Sequence, residues 1–544
     1  MPKITMEPAT KHHVNISQAH LKYLSDIALE QKASIEMVLS NILDGVNGIT
    51  VSLKDDAVSF LKQPVGNAEV TLTGEQNEAL QLAVTGTDML VSAIAGAGKT
   101  TLLQKIAEQL PDKTGLYITF NRRNADEASL RFPSNIKCKT AHQLAYQAVG
   151  HKYRQRLGKK LDGFELSRIL KFSPVAGFTK TLTGEMVLGT LNNYCYSASH
   201  RLLEKHIPPE YVALFEGTVE KTYNTTMLIG YAQKAWDYLI EIDSELPITH
   251  DMYLKIWSLQ NPNLNSNLIL LDECQDSNGS LLNIVQSQKN SQLIYCGDEW
   301  QSIYGWRGAI NAMRKITNCQ KATISQSFRY GQIIADLASA VLNRTFNANI
   351  AITGSSDVNS MLTTDNCRTI LFRTNLALID KAMALYKNYR DIKIHIVGKS
   401  ERSGKHDELV NLLNGAQDLI NGNRTLVPEL RNFPSWQDVV THSESPGGRD
   451  LSALVRMVSM WPVRGLVETL QRISMNTEED ADIVLSTVHK SKGKQWPEVE
   501  LAQDFRTPDS NMFTEEEAYL LYVAVTRASE RLNVFHCDAC KGLI

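Results

Sequence analysis

From Leu72 onward, short apolar runs alternate with longer amphipathic stretches, the pattern of parallel strands joined by helices. Leu90–Ile94, Gly115–Phe120, Leu268–Leu271 and Leu293–Cys296 are the clearest runs. Each is mainly apolar and too short for a helix, as expected of strands covered on both faces. The alternation breaks between about 141 and 264, a helix-rich, aromatic stretch that reads as an inserted helical subdomain. A second unit starts at Thr369, is interrupted from about 411 to 480 and resumes at Ile483. The expected fold class is α/β: two lobes of parallel sheet flanked by helices, each with a mainly helical insertion. In this division 71–140 and 265–345 form the first lobe around an insertion at 141–264. Residues 346–410 and 481–544 form the second, around a smaller insertion at 411–480.

Residues 1–48 stand apart, with 49–70 as a linker or irregular strands. A short strand-like segment at Val14 and Ile16 precedes one helical pattern at Leu21, Leu24 and Ile27 and a second at Ile35, Val38, Leu39 and Ile42. Strand, helix, helix resembles a ribbon-helix-helix DNA-binding arm. A small helical extension is the commoner meaning of such a pattern and is favoured.

Composition narrows the class without naming it. The chain has 544 residues, enough for three or four domains or subdomains, and its 43% apolar and 21% charged content is that of a globular protein. No apolar run is long enough to cross a bilayer, and no secretory signal pattern is expected at the start. The eight cysteines do not look like a disulfide framework, and Cys537 and Cys540 read as ordinary thiols rather than a zinc site. A net charge of −3 argues against an all-round basic coat, but leaves room for a basic groove along a phosphate track.

Chemistry enters with Ala93-Ile-Ala95-Gly96-Ala97-Gly98-Lys99-Thr100-Thr101, set between an apolar strand and a helix carrying Leu102, Leu103 and Ile106. Small residues let backbone N–H groups approach phosphate oxygens, and the helix N-terminus adds a favourable field. Lys99 is placed for the β and γ phosphates of ATP, and Thr100 for Mg²⁺. Downstream, Leu268–Leu271 delivers Asp272 and Glu273, the first a candidate for the Mg²⁺ shell, the second for orienting and deprotonating water.

The motifs that follow resemble those of UvrD/Rep-like superfamily 1A helicases. Tyr295-Cys-Gly297-Asp298-Glu-Trp-Gln301-Ser-Ile-Tyr304-Gly-Trp306-Arg307-Gly308 is similar to their motif III. Leu72-Thr-Gly-Glu-Gln76 looks like the Q motif, Thr119-Phe120-Asn121 like motif Ia and Thr140-Ala-His142 like motif Ib. Gln326-Ser-Phe328-Arg329, Thr487-Val-His489-Lys-Ser-Lys492-Gly493 and Tyr522-Val-Ala-Val-Thr526-Arg527 resemble motifs IV, V and VI. Within the family, Ile248-Thr-His-Asp-Met-Tyr-Leu-Lys-Ile-Trp257 resembles the F-box DNA helicases, although no F-box is recognisable.

The resemblance implies two RecA-like lobes and a 3′–5′ translocase on single-stranded DNA that uses ATP and Mg²⁺. It also implies roles. Gln76 would read the adenine and Phe328 would stack on it; Arg329 and Arg527 would reach the γ-phosphate, and Gln301 would sense it. Phe120, Tyr304 and Trp306 would stack on bases, while His142, Thr487 and His489 would meet the sugar-phosphate backbone. Where the family's motif V has glutamate this chain has Gln495, which implies a weaker ribose contact; Gln495→Glu is then expected to tighten ATP binding. Thr101 replaces a common arginine near the base. Expected partners are single-stranded DNA with duplex junctions and a nuclease or a recombination or defence protein, with no membrane. Expected settings are repair, recombination or phage and plasmid processes, in a bacterial cytoplasm and on the nucleoid. The motor subunit of a larger nuclease or phage-defence assembly, a DNA-binding regulator with an ATPase switch and an RNA helicase are the rival readings.

Overall fold

The computed structural model describes the strands Lys3–Glu7, His12–Asn15 and Thr50–Leu53, and then residues 71–543 apart from short stretches (160, 217–219, 306–307, 347–348, 390, 399–404, 428, 432, 445–448, 475 and 511–512). Both helices expected between residues 16 and 48 lie outside the described residues, as does Trp306. The three N-terminal strands form an antiparallel sheet with Lys3–Glu7 in the middle, Ile4 opposite both Val14 and Leu53. Thr50–Leu53, expected as linker or irregular strand, thus pairs with the chain start.

The first lobe is a six-stranded parallel sheet ordered Ile136–Thr140, Gly115–Thr119, Leu268–Leu271, Gln292–Gly297, Met89–Ala93, Gln320–Ile324. Side chains alternate across the sheet, and its two faces serve different cores. Tyr117, Leu268 and Leu270 pack with the helix Lys99–Gln109, whereas Leu116, Ile118, Ile269 and Leu271 join the core of the helical insertion. Sheet and insertion are therefore continuous. That insertion holds the helices Gly163–Leu170, Lys180–Tyr196, Lys221–Ile240 and His250–Leu259. A Cβ on Gly184 would stand 1.8 Å from the Gly163 carbonyl oxygen, so glycine is what lets the first two helices cross this closely.

The second lobe is also six parallel strands, ordered Met361–Leu362, Ala528–Asn533, Trp496–Leu501, Thr369–Phe372, Ile483–Thr487, Ile394–Ile396. The insertion helix Val463–Ser474 packs on Ile394–Ile396 and on the helix Asn375–Asn388, so it forms part of the layer on this sheet. Gln332–Phe346 departs from the expected division. Its buried stripe of Ile334, Leu337, Ala338, Val341 and Leu342 packs against the helix Glu515–Val525 and the edge strand Met361–Leu362, both of the second lobe. The sequence division at 345 had placed it in the first.

Apart from Leu72–Gln76, which opens the helix Gly74–Val84, the functional motifs of the first lobe fall at the carboxyl ends of its strands, where open parallel sheets bind ligands. Strand order decides who meets whom. Gln292–Gly297 lies between the strand that feeds Gly96–Thr100 and the strand that feeds Asp272 and Glu273, so Asp298 is adjacent to both.

Candidate nucleotide cleft and strand-binding face

Gly96 and Gly98 have φ of 78° and 73°, left-handed values that glycine adopts without strain, and Gly98 caps the helix Lys99–Gln109. Lys99 Nζ donates to the carbonyls of Ala93 (3.2 Å) and Ile94 (3.1 Å), closing the loop on itself. Thr100 Oγ1 donates to Asp272 Oδ2 at 3.3 Å, which brings together two hard oxygen ligands of the kind Mg²⁺ takes. Tyr117, from the neighbouring strand, also donates to Asp272 Oδ2, at 2.5 Å.

The two adjacent acids differ in environment. Burial, then the charge of Glu273, pushes the Asp272 carboxyl above its ordinary range. For Glu273 burial alone would raise the pKa, but Lys99 and Lys492, with a hydrogen bond from Gln275, hold it below its ordinary value. Glu273 is thus ionised and able to accept a proton or orient water. Its backbone is left-handed, φ 51°, which turns the chain at the strand end.

Asp298 joins this set to the second lobe. Its Oδ2 accepts from Gln301 Nε2 (2.7 Å) and from the Tyr522 hydroxyl (3.1 Å), and that hydroxyl accepts from the Ala95 N–H (3.1 Å). Gln275 Oε1 accepts from the Asp298 N–H at 3.1 Å. One tyrosine of the helix Glu515–Val525 therefore touches both the phosphate loop and the Gln301 segment.

Arg329 and Arg527 lie nearby with neutral partners only. Arg329 Nε donates to Gln495 Oε1 at 2.9 Å and Nη1 to the Thr526 carbonyl at 3.1 Å. Arg527, 1% exposed, donates to the carbonyls of Val523 (2.8 Å) and Lys494 (3.1 Å) and to Thr526 Oγ1 (3.0 Å). Burial lowers both guanidinium pKa values, that of Arg527 to about 9, with Arg329 as its second cause. Among the described residues neither arginine makes an ion pair, although the Asp298 carboxylate acts on both and Glu273 also on Arg329.

At the base end, Phe328 N–H donates to the Gly96 carbonyl (2.9 Å), and the Phe328 ring comes within 3.7 Å of where a Gly98 Cβ would be. The ring is 44% exposed, open for stacking. Gln76 closes the same corner: Oε1 accepts from the Thr73 N–H (3.0 Å) in a capping box, and Nε2 donates to the Ala97 carbonyl (3.0 Å). Thr101 sits in the first turn of the loop helix.

On the other side of the strand ends, Phe120 and Tyr304 are stacked, with ring centroids 5.3 Å apart and planes 9° from parallel. Phe120 is 41% exposed. Tyr304 donates from its hydroxyl to the His489 carbonyl (3.1 Å), tying the face to the second lobe. His142 Nε2 lies 3.2 Å from Asp251 Oδ1 of the helix His250–Leu259. Thr487 is buried at the start of the short helix Val488–Ser491, and burial lowers the His489 pKa. Sequence reasoning gave no role to Tyr117, Gln275, Asp298, Lys492 or Tyr522. Tyr117 and Tyr522 are each a hydroxyl within an apolar, buried run, whereas Gln275, Asp298 and Lys492 lie in polar segments that do not single them out.

The fold and site define a two-lobed P-loop protein with its nucleotide cleft between parallel sheets. The family models agree on which one: residues 72–322 match the UvrD/REP helicase N-terminal domain and residues 482–535 the UvrD-like helicase C-terminal domain. The chain belongs to the UvrD-like helicase family. It is 29% identical over 514 residues to F-box DNA helicase protein 1 of Schizosaccharomyces pombe, covering 85% of this chain and 57% of that protein. With F-box DNA helicase 1 of Gallus gallus it shares 30% identity over 510 residues, 86% of this chain and 49% of that one. ATP-dependent DNA helicase PcrA of Leuconostoc citreum is 26% identical over 300 residues, 50% of this chain and 40% of its own. The chain thus spans about half the length of the relatives it matches. Those relatives include eukaryotic proteins, so the likeness carries no support for a bacterial, phage or plasmid origin. Among the described residues no helix is long and apolar enough to cross a membrane.

Proposed function

We propose that the chain is an ATP-driven motor that moves 3′ to 5′ along single-stranded DNA and separates or clears what lies ahead. The observation that carries this reading is the pair Arg329 and Arg527, which hydrogen-bond only neutral groups and make no ion pair among the described residues. A γ-phosphate supplies the missing anion, and closure of the lobes around it is then coupled to binding.

In this reading Lys99 leaves the loop carbonyls for the β and γ phosphates, while Thr100 and Asp272 would hold Mg²⁺, which would supply neutralisation of phosphate charge. Glu273 orients the attacking water, and Gln301 reports the γ-phosphate through Asp298 and Tyr522. Gln76 and Phe328 frame the base, and the backbone N–H groups of Gly96 and Gly98–Thr101 cradle the phosphates, those of Ala95 and Ala97 being held within the protein. Phe120, Tyr304 and Trp306 offer π-faces that suit every base alike, each stack worth roughly 1–3 kcal/mol. His142, Thr487 and His489 follow the backbone of the strand.

A tailed-duplex assay tests the polarity and the polymer. Unwinding of a 3′-tailed DNA duplex with ATP and Mg²⁺, and not of a 5′-tailed or an all-RNA one, is the expected result. Preference for the 5′ tail or for RNA contradicts the assignment. The modest second insertion also suits stripping of proteins from a strand, for which release of a bound protein block is the matching readout.

A further inference from the structure

The sequence left Lys492 without a role, yet its ammonium is where three motifs meet. Nζ donates to Asp276 Oδ2 and to the Gln301 carbonyl, both at 2.6 Å, and lies 5.1 Å from the centre of the Tyr304 ring. Asp276 belongs to the acidic segment that begins at Asp272; Gln301 and Tyr304 belong to the segment after Asp298. Lys492 itself belongs to the second lobe, directly after the helix Val488–Ser491 that follows the strand Ile483–Thr487. The contact therefore crosses between lobes.

The pair is out of water, with side-chain exposures of 8% for Lys492 and 2% for Asp276. The other carboxylate oxygen, Asp276 Oδ1, is buried with no hydrogen-bond partner among the described residues. Burial raises the Asp276 pKa to about 6 even with Lys492 against it. A buried ion pair stabilises a fold no better than a well-packed apolar pair, so simple stability does not account for it. Its directional bonds do something an apolar pair cannot. They fix the Gln301 backbone, three residues before a ring that stacks on Phe120 and donates to the His489 carbonyl.

We infer that Lys492 is a positioning residue through which the second lobe moves the Gln301–Tyr304 segment, so that nucleotide-driven closure changes the grip of Tyr304 on a base. The inference deepens the motor reading and rests on it. One ammonium holds the segment that senses the γ-phosphate and the segment that holds the strand, and both shift when the second lobe shifts.

The experiment measures the affinity of the full chain for a fluorescein-labelled oligodeoxythymidylate with ADP and with a non-hydrolysable ATP analogue, together with ATP turnover. In the wild type the two affinities differ by a ratio in the range of about 5- to 150-fold, the size of an ordinary coupling. Lys492→Met brings that ratio to about one, and Lys492→Arg restores much of it. Because Lys492→Met leaves a buried carboxylate alone, the double variant Lys492→Met/Asp276→Asn repeats the test without an unpaired charge. A purely structural role lowers the melting temperature and both affinities together, leaving the ratio intact. An intact ratio in the double variant overturns the inference while the motor reading stands. If the wild type shows no oligonucleotide-stimulated turnover at all, the motor reading fails and the role of Lys492 fails with it.

Discussion

Arg329 donates its Nε–H to Gln495 Oε1 at 2.9 Å, and so the amide that the resemblance assigned to a ribose contact is engaged with a guanidinium instead. A neutral amide holds the guanidinium in place without cancelling its charge, as the proposed function requires of a group that meets a γ-phosphate.

Gln495→Glu therefore has a consequence different from the tighter ATP binding expected on resemblance alone. A carboxylate at 495 pairs with Arg329 in the resting cleft, and the pair must be broken before the transition state is served. The expected outcome is a fall in kcat of about tenfold or more, equivalent to ~1.4 kcal/mol, with KM for ATP little changed. Steady-state turnover at saturating oligonucleotide checks it; an unchanged kcat contradicts the placement of Arg329.

Lys99→Ala removes the ammonium that rests on the Ala93 and Ile94 carbonyls and that the proposed function gives to the phosphates. ATP turnover is expected to fall below detection with or without DNA, while the melting temperature without nucleotide shifts by only a few degrees. A turnover within about tenfold of wild type contradicts the role.

Phe120→Ala removes half of the Phe120–Tyr304 stack. At roughly 1–3 kcal/mol per stacked base, the affinity for an oligonucleotide is expected to fall about 5- to 150-fold, equally for all sequences. The concentration of oligonucleotide giving half-maximal ATP turnover rises in step. Unchanged affinity by fluorescence anisotropy assigns the ring to packing alone.

Much of this was legible in the sequence, and physics says which part. The strands Leu268–Leu271 and Thr369–Phe372 are buried on both faces, so their apolar runs stand out, and the acids and loops at their ends follow. Gln320–Ile324 is an edge strand with Gln320, Lys321 and Thr323 exposed, and an alternating edge does not announce itself that way. The helix Gln332–Phe346 shows its apolar stripe in sequence but not which sheet the stripe faces. Tyr522, Asp298 and Lys492 act across the cleft at separations of more than 190 residues, beyond any local pattern.

His206 gives a test of the inserted subdomain that is independent of catalysis. Its Nδ1 accepts from the Leu203 N–H at 2.9 Å, its Nε2 is buried with no partner among the described residues, and burial, with Lys205 and Lys255, lowers its pKa to about 4. The unfolded chain binds a proton there near pH 6.5, the folded one only near 4. This contribution to stability is therefore present above pH 6.5 and lost as pH falls toward 4, with a slope of up to about 1.4 kcal/mol per pH unit. Melting temperature is expected to drop between pH 7 and 5, and His206→Asn to flatten that drop. An equally steep profile in the variant shows that other groups carry it.

The central claim is that a triphosphate clamped between two lobes drives a strand across them. It is tested most directly by timing how long an ATP-hydrolysing chain takes to reach the 5′ end of oligodeoxythymidylates of increasing length, using an end-placed fluorophore. The account predicts turnover that rises severalfold on adding the oligonucleotide and an arrival time that grows linearly with length. Equal turnover with and without the strand, and an arrival signal independent of length, contradict it.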